Sequence, residues 1–238
     1  MAFYDNIAKR WHQATGYKGG KFKELVLNDI LLGKISTIGN KAILELGAGN
    51  GYFLPLLLRR FSGEVPSGIT VTDKSEPLLD ICKRHFRIPG AQYQNIDVCK
   101  HLPYENDQFD LIIASMIFNE VPPSCFEKAL EECRRVLSVN GLLLMTVIHP
   151  DFIRSLQTRK MLKSTKQGMM TMPATGSLRL PVVVRTMEHY QRSLAQTGFS
   201  FEETEVAPTK ELLRQKAGLQ KAAGVSIALV FTCTKTGL

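Results

Sequence analysis

The sequence lacks several features, and each absence excludes a class of protein. It has no run of about 18 apolar residues, so we expect no membrane-spanning helix. Its opening residues, MAFYDNIAKRW, lack the apolar stretch of a secretory signal. Its cysteines are scattered without a C-x-x-C pair, so we predict reduced thiols in a cytoplasmic protein, with no disulfide framework and no metal site. These cysteines are Cys82, Cys99, Cys125, Cys133 and Cys233.

Acidic residues are absent from Phe152 to Met187, a stretch that contains seven Lys and Arg residues. The net charge of the chain is +8, so this stretch accounts for most of it. One interpretation is a solvated, mobile basic loop. The other is a cationic rim that attracts an anionic substrate or carrier. Charge alone does not establish nucleic-acid binding, so an RNA target stays open as an alternative.

Apolar residues at helical spacing predict helices in the first 40 residues. From Lys41 onward, short apolar or β-branched runs alternate with helical patterns, which implies a mostly parallel sheet with helices on both faces. The predicted strands of this part are AILEL, GITVTD, AQYQNID, FDLIIAS and LLLMTVI. Two further strands, FSFEETEV and VSIALVFTCT, are predicted near the end and suit antiparallel neighbours.

These patterns divide the chain into four segments. Residues 1–40 are predicted to form a helical cap or lid, and residues 41–150 the ligand-binding α/β core. Residues 151–184 show no clear period and are interpreted as a basic substrate-lid insertion. Residues 185–238 complete the same α/β domain.

Polar or glycine residues follow five consecutive predicted strands. They are Glu45, Gly47, Gly49 and Gly51 after the first strand, then Asp73, Asp97, Ser115 and His149 after the next four. Ligands of open α/β sheets bind at the carboxyl ends of strands, and an acidic residue after the second strand can bind ribose hydroxyls. Glycines allow close approach of the backbone, and the next helix N-terminus attracts a carboxylate. The set therefore predicts an adenosine pocket with a carboxylate-binding end, in which Asp97 accepts from the adenine amino group.

The glycine pattern differs from the fingerprint of nicotinamide-binding proteins. That fingerprint, G-x-G-x-x-G, requires a glycine where this chain has Tyr52. A nicotinamide-dependent oxidoreductase is therefore disfavoured, and a different adenosine ligand is favoured.

ILELGAGNG is followed in order by VTD, NID, FDLIIAS and RRVLSVNGLLLM. From Lys41 to Ile148 this succession resembles the class I S-adenosylmethionine-dependent methyltransferases, most of all the group acting on quinones and other small metabolites. The resemblance implies a Rossmann-like sheet of seven strands, mostly parallel, with the last strand antiparallel. FYDNIAKRW resembles the opening helix of that group, which folds over the cofactor.

The resemblance also implies a role for each residue toward S-adenosylmethionine and its product S-adenosylhomocysteine. The methionine part would be held by Glu45, Gly47, Ala48, Gly49, Gly51 and the backbone carbonyl of Ser115. The ribose would be bound by Asp73. The adenine would be bound by Lys74, Ser75, Asp97 and Val98.

Candidates for proton transfer and substrate contact are few. A general base is needed only if the nucleophile arrives protonated. His149 qualifies because it lies at the sheet edge with a pKa near neutrality when unperturbed, and Glu120 because it follows the fourth strand, where members of the resembled family contact substrate. The candidates for substrate contact are Asn119, Tyr4, His12 and Tyr17.

We therefore predict S-adenosylmethionine-dependent methyl transfer to an oxygen, nitrogen or carbon atom of a small-molecule acceptor. The basic stretch is compatible with an anionic acceptor. Two alternatives stay open: an RNA methyltransferase that uses the basic rim, and a catalytically silent cofactor-binding module. S-M-I-F stands where amino-methyltransferases acting on adenine or glutamine have a D/N-P-P-Y-like tetrapeptide, which disfavours DNA amino methylation. The sequence indicates neither the acceptor nor the oligomeric state.

Overall fold

The computed structural model of this chain describes residues 3–165, 170–174, 177–216, 219 and 224–237. The strands in these residues are β1 (Ala42–Leu46), β2 (Gly68–Asp73), β3 (Gln92–Asn95), β4 (Phe109–Ser115), β5 (Leu137–Ile148), β6 (Lys163–Ser164), β7 (Met170–Pro173), β8 (Arg179–Pro181), β9 (Phe199–Val206) and β10 (Ala228–Lys235). The α-helices are α1 (Ala8–Thr15), α2 (Asn28–Gly33), α3 (Phe53–Arg60), α4 (Glu76–His85), α5 (Phe126–Val136), α6 (Pro150–Thr158), α7 (Met187–Gln196) and α8 (Lys210–Gln215). None of the described helices is long and apolar enough to cross a membrane.

The main sheet has seven strands in the order β3-β2-β1-β4-β5-β10-β9. Neighbouring strands from β3 to β5 run parallel, whereas β10 is antiparallel to both β5 and β9. This arrangement confirms the predicted seven-stranded sheet and its antiparallel last strand. The strand order reverses between β1 and β4, which places a ligand crevice outside their carboxyl ends.

Successive residues of the central strands face opposite sides of the sheet, as the two-residue period of a strand requires. In β4, Leu111 and Ile113 pack into one apolar cluster, while Ile112 and Ala114 pack into the other. Helices α3 and α6 contribute to the first cluster, and α5 and α7 to the second. The predicted helices on both faces are thereby confirmed.

The first 40 residues form short helical pieces, as predicted. A 3-10 turn (Phe3–Asn6) precedes α1, and a π-helical segment (Lys23–Leu27) leads into α2. Gly19 joins the two parts with a φ of 77°, and a Cβ there would lie 2.4 Å from the Tyr52 ring. Glycine is therefore required for this segment to lie against Tyr52.

Residues 150–184 contain more regular structure than the sequence indicated. Helix α6 begins at Pro150, where a missing N–H costs nothing, and the His149 ring accepts a hydrogen bond from the Asp151 amide. Strands β6, β7 and β8 form a small antiparallel sheet. These strands have two to four residues, too few for a visible period. Residues 166–169 and 175–176 of the predicted insertion lie outside the described residues.

The cysteines do not all remain reduced, which corrects the expectation from their spacing. Cys99 and Cys125 are joined by a disulfide, while Cys82, Cys133 and Cys233 are buried and free. Cys99 lies in the loop after β3 and Cys125 in the turn before α5. Only the fold brings these two loops together, so their spacing in the chain gave no signal.

Candidate active site

A cavity of about 820 Å³ lies at the carboxyl ends of β1 to β4. The N-terminal segment and the insertion form its other walls. One half, called the polar half, is lined by Gly47, Ala48, Gly49, Asp73, Lys74, Ser75, Asp97 and Val98. A second set of lining residues, called the apolar half, consists of Phe22, Phe152, Met172, Leu180, Pro181 and Ile227.

The turn after β1 depends on glycine at three positions. Gly47, Gly49 and Gly51 have φ values of 66°, 61° and 83°, a region that favours glycine. A Cβ at Gly49 would meet nothing closer than 3.9 Å, so the backbone there is open to a ligand. A Cβ at Gly51 would lie 2.0 Å from the Cys82 sulfur. Gly49 therefore borders the cavity, whereas Gly51 allows close packing beneath the turn.

The Asp73 carboxylate connects two backbone segments of the polar half by hydrogen bonds. Its Oδ2 accepts a hydrogen bond from the Gly49 amide, and its Oδ1 accepts one from the Ser75 amide, each at 2.8 Å. The residue is buried, and burial raises its pKa although these two amides lower it. Asp73 thus fixes the glycine turn and the start of α4 while it borders the cavity.

Asp97 and Lys74 form an ion pair at the other end of the polar half. The Lys74 ammonium lies 2.7 Å from Asp97 Oδ2, and the Cys99 amide donates to Oδ1. Burial would raise the pKa of Asp97, but these two contacts lower it overall. Val98 is buried beside them and lines the cavity. A carboxylate and an apolar side chain therefore lie side by side here.

The loop after β4 has a strained backbone beside the cavity. Met116 has a φ of 68°, which is unusual for a residue with a side chain, and its amide donates to the Thr146 carbonyl. Ser115 lines the cavity and accepts a hydrogen bond from the Thr146 hydroxyl at 3.3 Å. The Asn119 amide donates to the Met116 carbonyl and accepts from the Ile148 amide. Asn119 therefore holds this loop against β5.

Glu45 and Lys23 are two ionisable groups near the glycine turn. Glu45 is buried, burial raises its pKa to about 8, and Oε2 has no hydrogen-bond partner among the described residues. Lys23 lines the cavity with its ammonium 5.0 Å from the centre of the Tyr52 ring. Burial lowers the pKa of Lys23 to about 8, although attraction to Glu45 and Glu120 opposes this. Sequence reasoning missed Lys23, since a lysine on a surface-like helix carries no distinguishing signal.

Glu120 and Tyr4 meet across the cavity. Tyr4 donates a hydrogen bond to Glu120 Oε1 at 2.5 Å, and both residues line the cavity. Burial raises the pKa of Glu120 to about 8. The fold thus joins two candidates that sequence reasoning had named separately.

Three other candidates lie away from the cavity lining. The His149 ring is buried, accepts from the Asp151 amide and has Nε2 3.6 Å from a Glu205 oxygen. The His12 ring stacks on His85 at a centroid distance of 4.6 Å. Tyr17 is 62% exposed and packs beside this pair. The structure therefore gives His149 a helix-capping contact and His12 a contact between α1 and α4.

The insertion borders the cavity with apolar side chains, and two arginines of the basic stretch donate to backbone carbonyls. Arg185 is buried, donates to the carbonyls of Phe118 and Val121, and lies over the Phe126 ring. Arg179 donates to the carbonyls of Met161 and Thr171. These two arginines of the basic stretch are therefore held by backbone carbonyls.

Residues 43–141 match the family model of a methyltransferase domain. The malonyl-[acyl-carrier protein] O-methyltransferase of Methylococcus capsulatus is 30% identical over 151 residues, which cover 59% of this chain and 52% of that protein. The ubiquinone biosynthesis O-methyltransferase of Coxiella burnetii is 25% identical over 166 residues, which cover 66% of this chain and 65% of that protein. The chain therefore spans about half to two thirds of the length of these relatives.

Solved structures share the fold over nearly the whole chain. An S-adenosylmethionine-dependent methyltransferase from Mesorhizobium loti superposes with a TM-score of 0.66 at 19% identity. The alignment covers 92% of this chain and 100% of that chain. The similarity therefore extends beyond the residues that match the family model.

Proposed function

We propose that the chain is a class I S-adenosylmethionine-dependent methyltransferase and that it transfers a methyl group to a small molecule with a largely apolar body. The apolar half of the cavity carries this proposal. Its side chains offer no charge to an anionic body, and apolar walls with a few polar groups are typical of small-molecule sites. The polar half would hold the cofactor.

The polar half fits S-adenosylmethionine on two grounds. The backbone at Gly49 is open to a ligand, and next to the glycine turn Glu45 Oε2 is buried without a hydrogen-bond partner among the described residues. The turn from Gly47 to Gly51, with Ala48, would hold the methionine part near Ser115. Asp73 would bind the ribose hydroxyls. The adenine would be bound by Lys74, Ser75, Asp97 and Val98.

Lys23 adds a positive charge to the proposed methionine site. The amino-acid end of the cofactor carries an ammonium and a carboxylate. Glu45 would pair with the ammonium and Lys23 with the carboxylate, since the two side chains are close enough to shift each other's pKa. Once the cofactor's ammonium favours the ionised form of Glu45, a carboxylate and an ammonium of the protein would match the zwitterion.

The cofactor, when bound, supplies a methyl group on an activated sulfonium. The chain's own residues must hold the acceptor in line with that methyl and exclude water. The N-terminal segment and the insertion cover the cavity and suit this task. Proton transfer is assigned to Glu120 and not to His149, because Glu120 lines the cavity and His149 does not. Both relatives are named O-methyltransferases, which favours an oxygen nucleophile.

Calorimetric titration tests the cofactor part of this proposal. We expect S-adenosylmethionine and S-adenosylhomocysteine to bind and NAD to show no heat of binding. Binding of NAD alone would contradict the proposal. Tight binding of a short RNA with a steep salt dependence would favour the RNA alternative. Cofactor binding without methyl transfer to any member of a diverse set of apolar hydroxyl, amino and carbon-acid probes would favour the silent module.

A further inference from the structure

One hydrogen bond joins the N-terminal segment to the loop after β4. The Tyr4 hydroxyl donates to Glu120 Oε1, across 116 positions of the chain. Among the side-chain hydrogen bonds of the described residues, Glu120 takes part in this one, through Oε1 alone. The other oxygen, Oε2, is left without a donor from these residues. A carboxylate held at one oxygen in a cavity has the other available for a ligand.

The groups that face Glu120 come from three elements. Burial is the largest influence and raises the pKa of Glu120 to about 8; Asp73, at the end of β2, also raises it. Tyr4 and Lys23, from the N-terminal segment and the π-helical segment, lower it. The pKa of Tyr4 is well above its usual value because the hydroxyl is buried, so Tyr4 stays protonated and remains the donor. Glu120 can therefore exchange a proton near neutral pH while Tyr4 keeps its own.

We propose that Tyr4 is a positioning residue that holds Glu120 by Oε1, so that Oε2 takes the proton from the attacking atom of the methyl acceptor. This inference rests on the proposed methyl transfer. The electron pair of the attacking atom forms the bond to the methyl carbon. The bond between that carbon and sulfur breaks, and its electrons return to sulfur. The proton of the attacking atom passes to Glu120 and afterwards to solvent.

The proposal specifies the acceptor more closely. A carboxylate nucleophile is already deprotonated near neutral pH and needs no base, whereas a hydroxyl must lose its proton. The apolar half of the cavity suits an apolar body. The acceptor class is therefore a hydroxyl compound whose body is apolar.

Tyr4 also connects the base to the glycine turn. Its ring packs edge-on against Trp11 at a centroid distance of 5.9 Å. The Trp11 indole nitrogen is the nearest group, at 3.9 Å, to a Cβ built on Gly49. Trp11 is the single tryptophan of the chain, so its fluorescence reports ligand binding beside the turn. The N-terminal segment thus contacts the base and the turn together.

An infrared pH titration of the full chain tests the proposal without any acceptor. The protonated carboxyl band assigned to Glu120 is the one missing in Glu120→Gln. We expect it to disappear near pH 8 in the original protein. In Tyr4→Phe we expect the midpoint to rise by about one unit, since a hydrogen bond that favours the charged form is lost. The matched control is Tyr104→Phe, whose hydroxyl donates to Gln94 Oε1 away from the cavity, and it should leave the midpoint unchanged.

The same titration can overturn the proposal. A Glu120 midpoint near 4.5, or equal midpoints in the original protein and Tyr4→Phe, would do so. The affinity for S-adenosylhomocysteine, measured by Trp11 fluorescence, separates this failure from failure of the proposed function. If S-adenosylhomocysteine binds and the Glu120 midpoint lies near 4.5 or does not respond to Tyr4→Phe, the positioning role fails and the methyltransferase proposal stands. If no ligand binds, the methyltransferase proposal fails, and with it the acceptor step.

Methyl transfer to 2-naphthol, a hydroxyl probe with an apolar body, provides the kinetic readout. We expect kcat to rise with pH through about 8 and this limb to move to higher pH in Tyr4→Phe, with KM for S-adenosylmethionine within about twofold. Faster transfer to 2-naphthoate than to 2-naphthol would contradict the proposal. If neither probe is methylated, the infrared titration decides.

Discussion

The polar and apolar halves of the cavity are built in different ways. The polar half consists of residues that directly follow β1, β2 and β3, and its carboxylates are held by backbone amides, as Asp73 is by Gly49 and Ser75. The apolar half collects side chains from the N-terminal segment, α6, β7 and β8, which are far apart in the chain. One half is fixed by hydrogen bonds along one sheet edge and the other by packing between distant segments.

This difference indicates which substitutions should affect cofactor binding and which should affect acceptor binding. Substitutions in the polar half should disturb the turn and cofactor affinity. Substitutions in the apolar half should alter acceptor binding and leave cofactor affinity unchanged. Glu120 lines the cavity outside both sets and should affect both stability and proton transfer. The predictions below would separate the halves or show that they are coupled.

Gly51→Ala should have the largest effect, because it disturbs the packing beneath the polar half. The new Cβ would lie 2.0 Å from the Cys82 sulfur at a φ of 83°. We expect the free energy of unfolding in urea to fall by about 3 kcal/mol. Gly63→Ala is the control, since its φ is also positive but a Cβ meets nothing within 4 Å, and it should cost about 1 kcal/mol. Equal losses in the two variants would show that the Cys82 contact does not matter.

Asp73→Ala should weaken S-adenosylhomocysteine binding at least tenfold, which is about 1.4 kcal/mol. The substitution removes the acceptor of the Gly49 and Ser75 amides together with the proposed ribose contact. Asp110→Ala is the matched control. Asp110 likewise accepts a hydrogen bond from a backbone amide, that of Ala42, but it lies at the amino ends of the strands, away from the cavity. Calorimetry should show unchanged affinity for this control. An unchanged affinity in Asp73→Ala would refute the proposed ribose site.

Glu120→Gln should change how stability depends on pH. The folded protein raises the pKa of this carboxyl from 4.5 to about 8, so its neutral form is favoured on folding. That contribution is fully present below about pH 4.5 and is lost as pH rises through about 8. The variant, permanently neutral, should therefore gain stability relative to the original protein as pH rises from 5 to 9. If the free energy of unfolding depended on pH in the same way in the variant and in the original protein, the raised pKa of Glu120 would be contradicted. Glu202→Gln is the control, because it removes one carboxylate at an exposed position.

Leu180→Asn should have the smallest effect and should act on the apolar half alone. Leu180 lines the cavity from β8, opposite Met172 in the small sheet. Loss of apolar contact should weaken 2-naphthol binding about threefold, or about 0.6 kcal/mol. S-adenosylhomocysteine affinity should stay the same in calorimetry. A parallel loss of both affinities would show that the two halves are coupled.

The sequence predicted the sheet and its strand-end residues well because both depend on local patterns. β1, β2, β4 and β9 have the predicted bounds, since alternating or continuous apolar runs ended by turn residues leave little choice. The insertion was harder to predict, because β6, β7 and β8 are too short to show a period. The Cys99–Cys125 disulfide was missed because it joins two loops that meet only in the fold.

The candidate site divides in the same way. Gly49, Asp73 and Asp97 were placed at one edge by the sheet rule, and the structure brings them to the cavity. His149 satisfied the same rule but turns into the N-terminus of α6, which no local pattern excluded. Lys23 had no signal at all, because a lysine becomes distinctive only where packing buries it among carboxylates.

By itself, the sequence determined the alternation of strands and helices, the glycine turn and the acidic residues that follow β2 and β3. Each depends on the chemistry of residues that are close together in the chain, and this does not require tertiary contacts. Tertiary structure alone decided that Tyr4 meets Glu120, that Tyr52 packs under Gly19, and that the insertion presents apolar side chains to the cavity. These contacts join residues far apart in the chain, and their geometry exists only after the sheet and its covering segments have packed together.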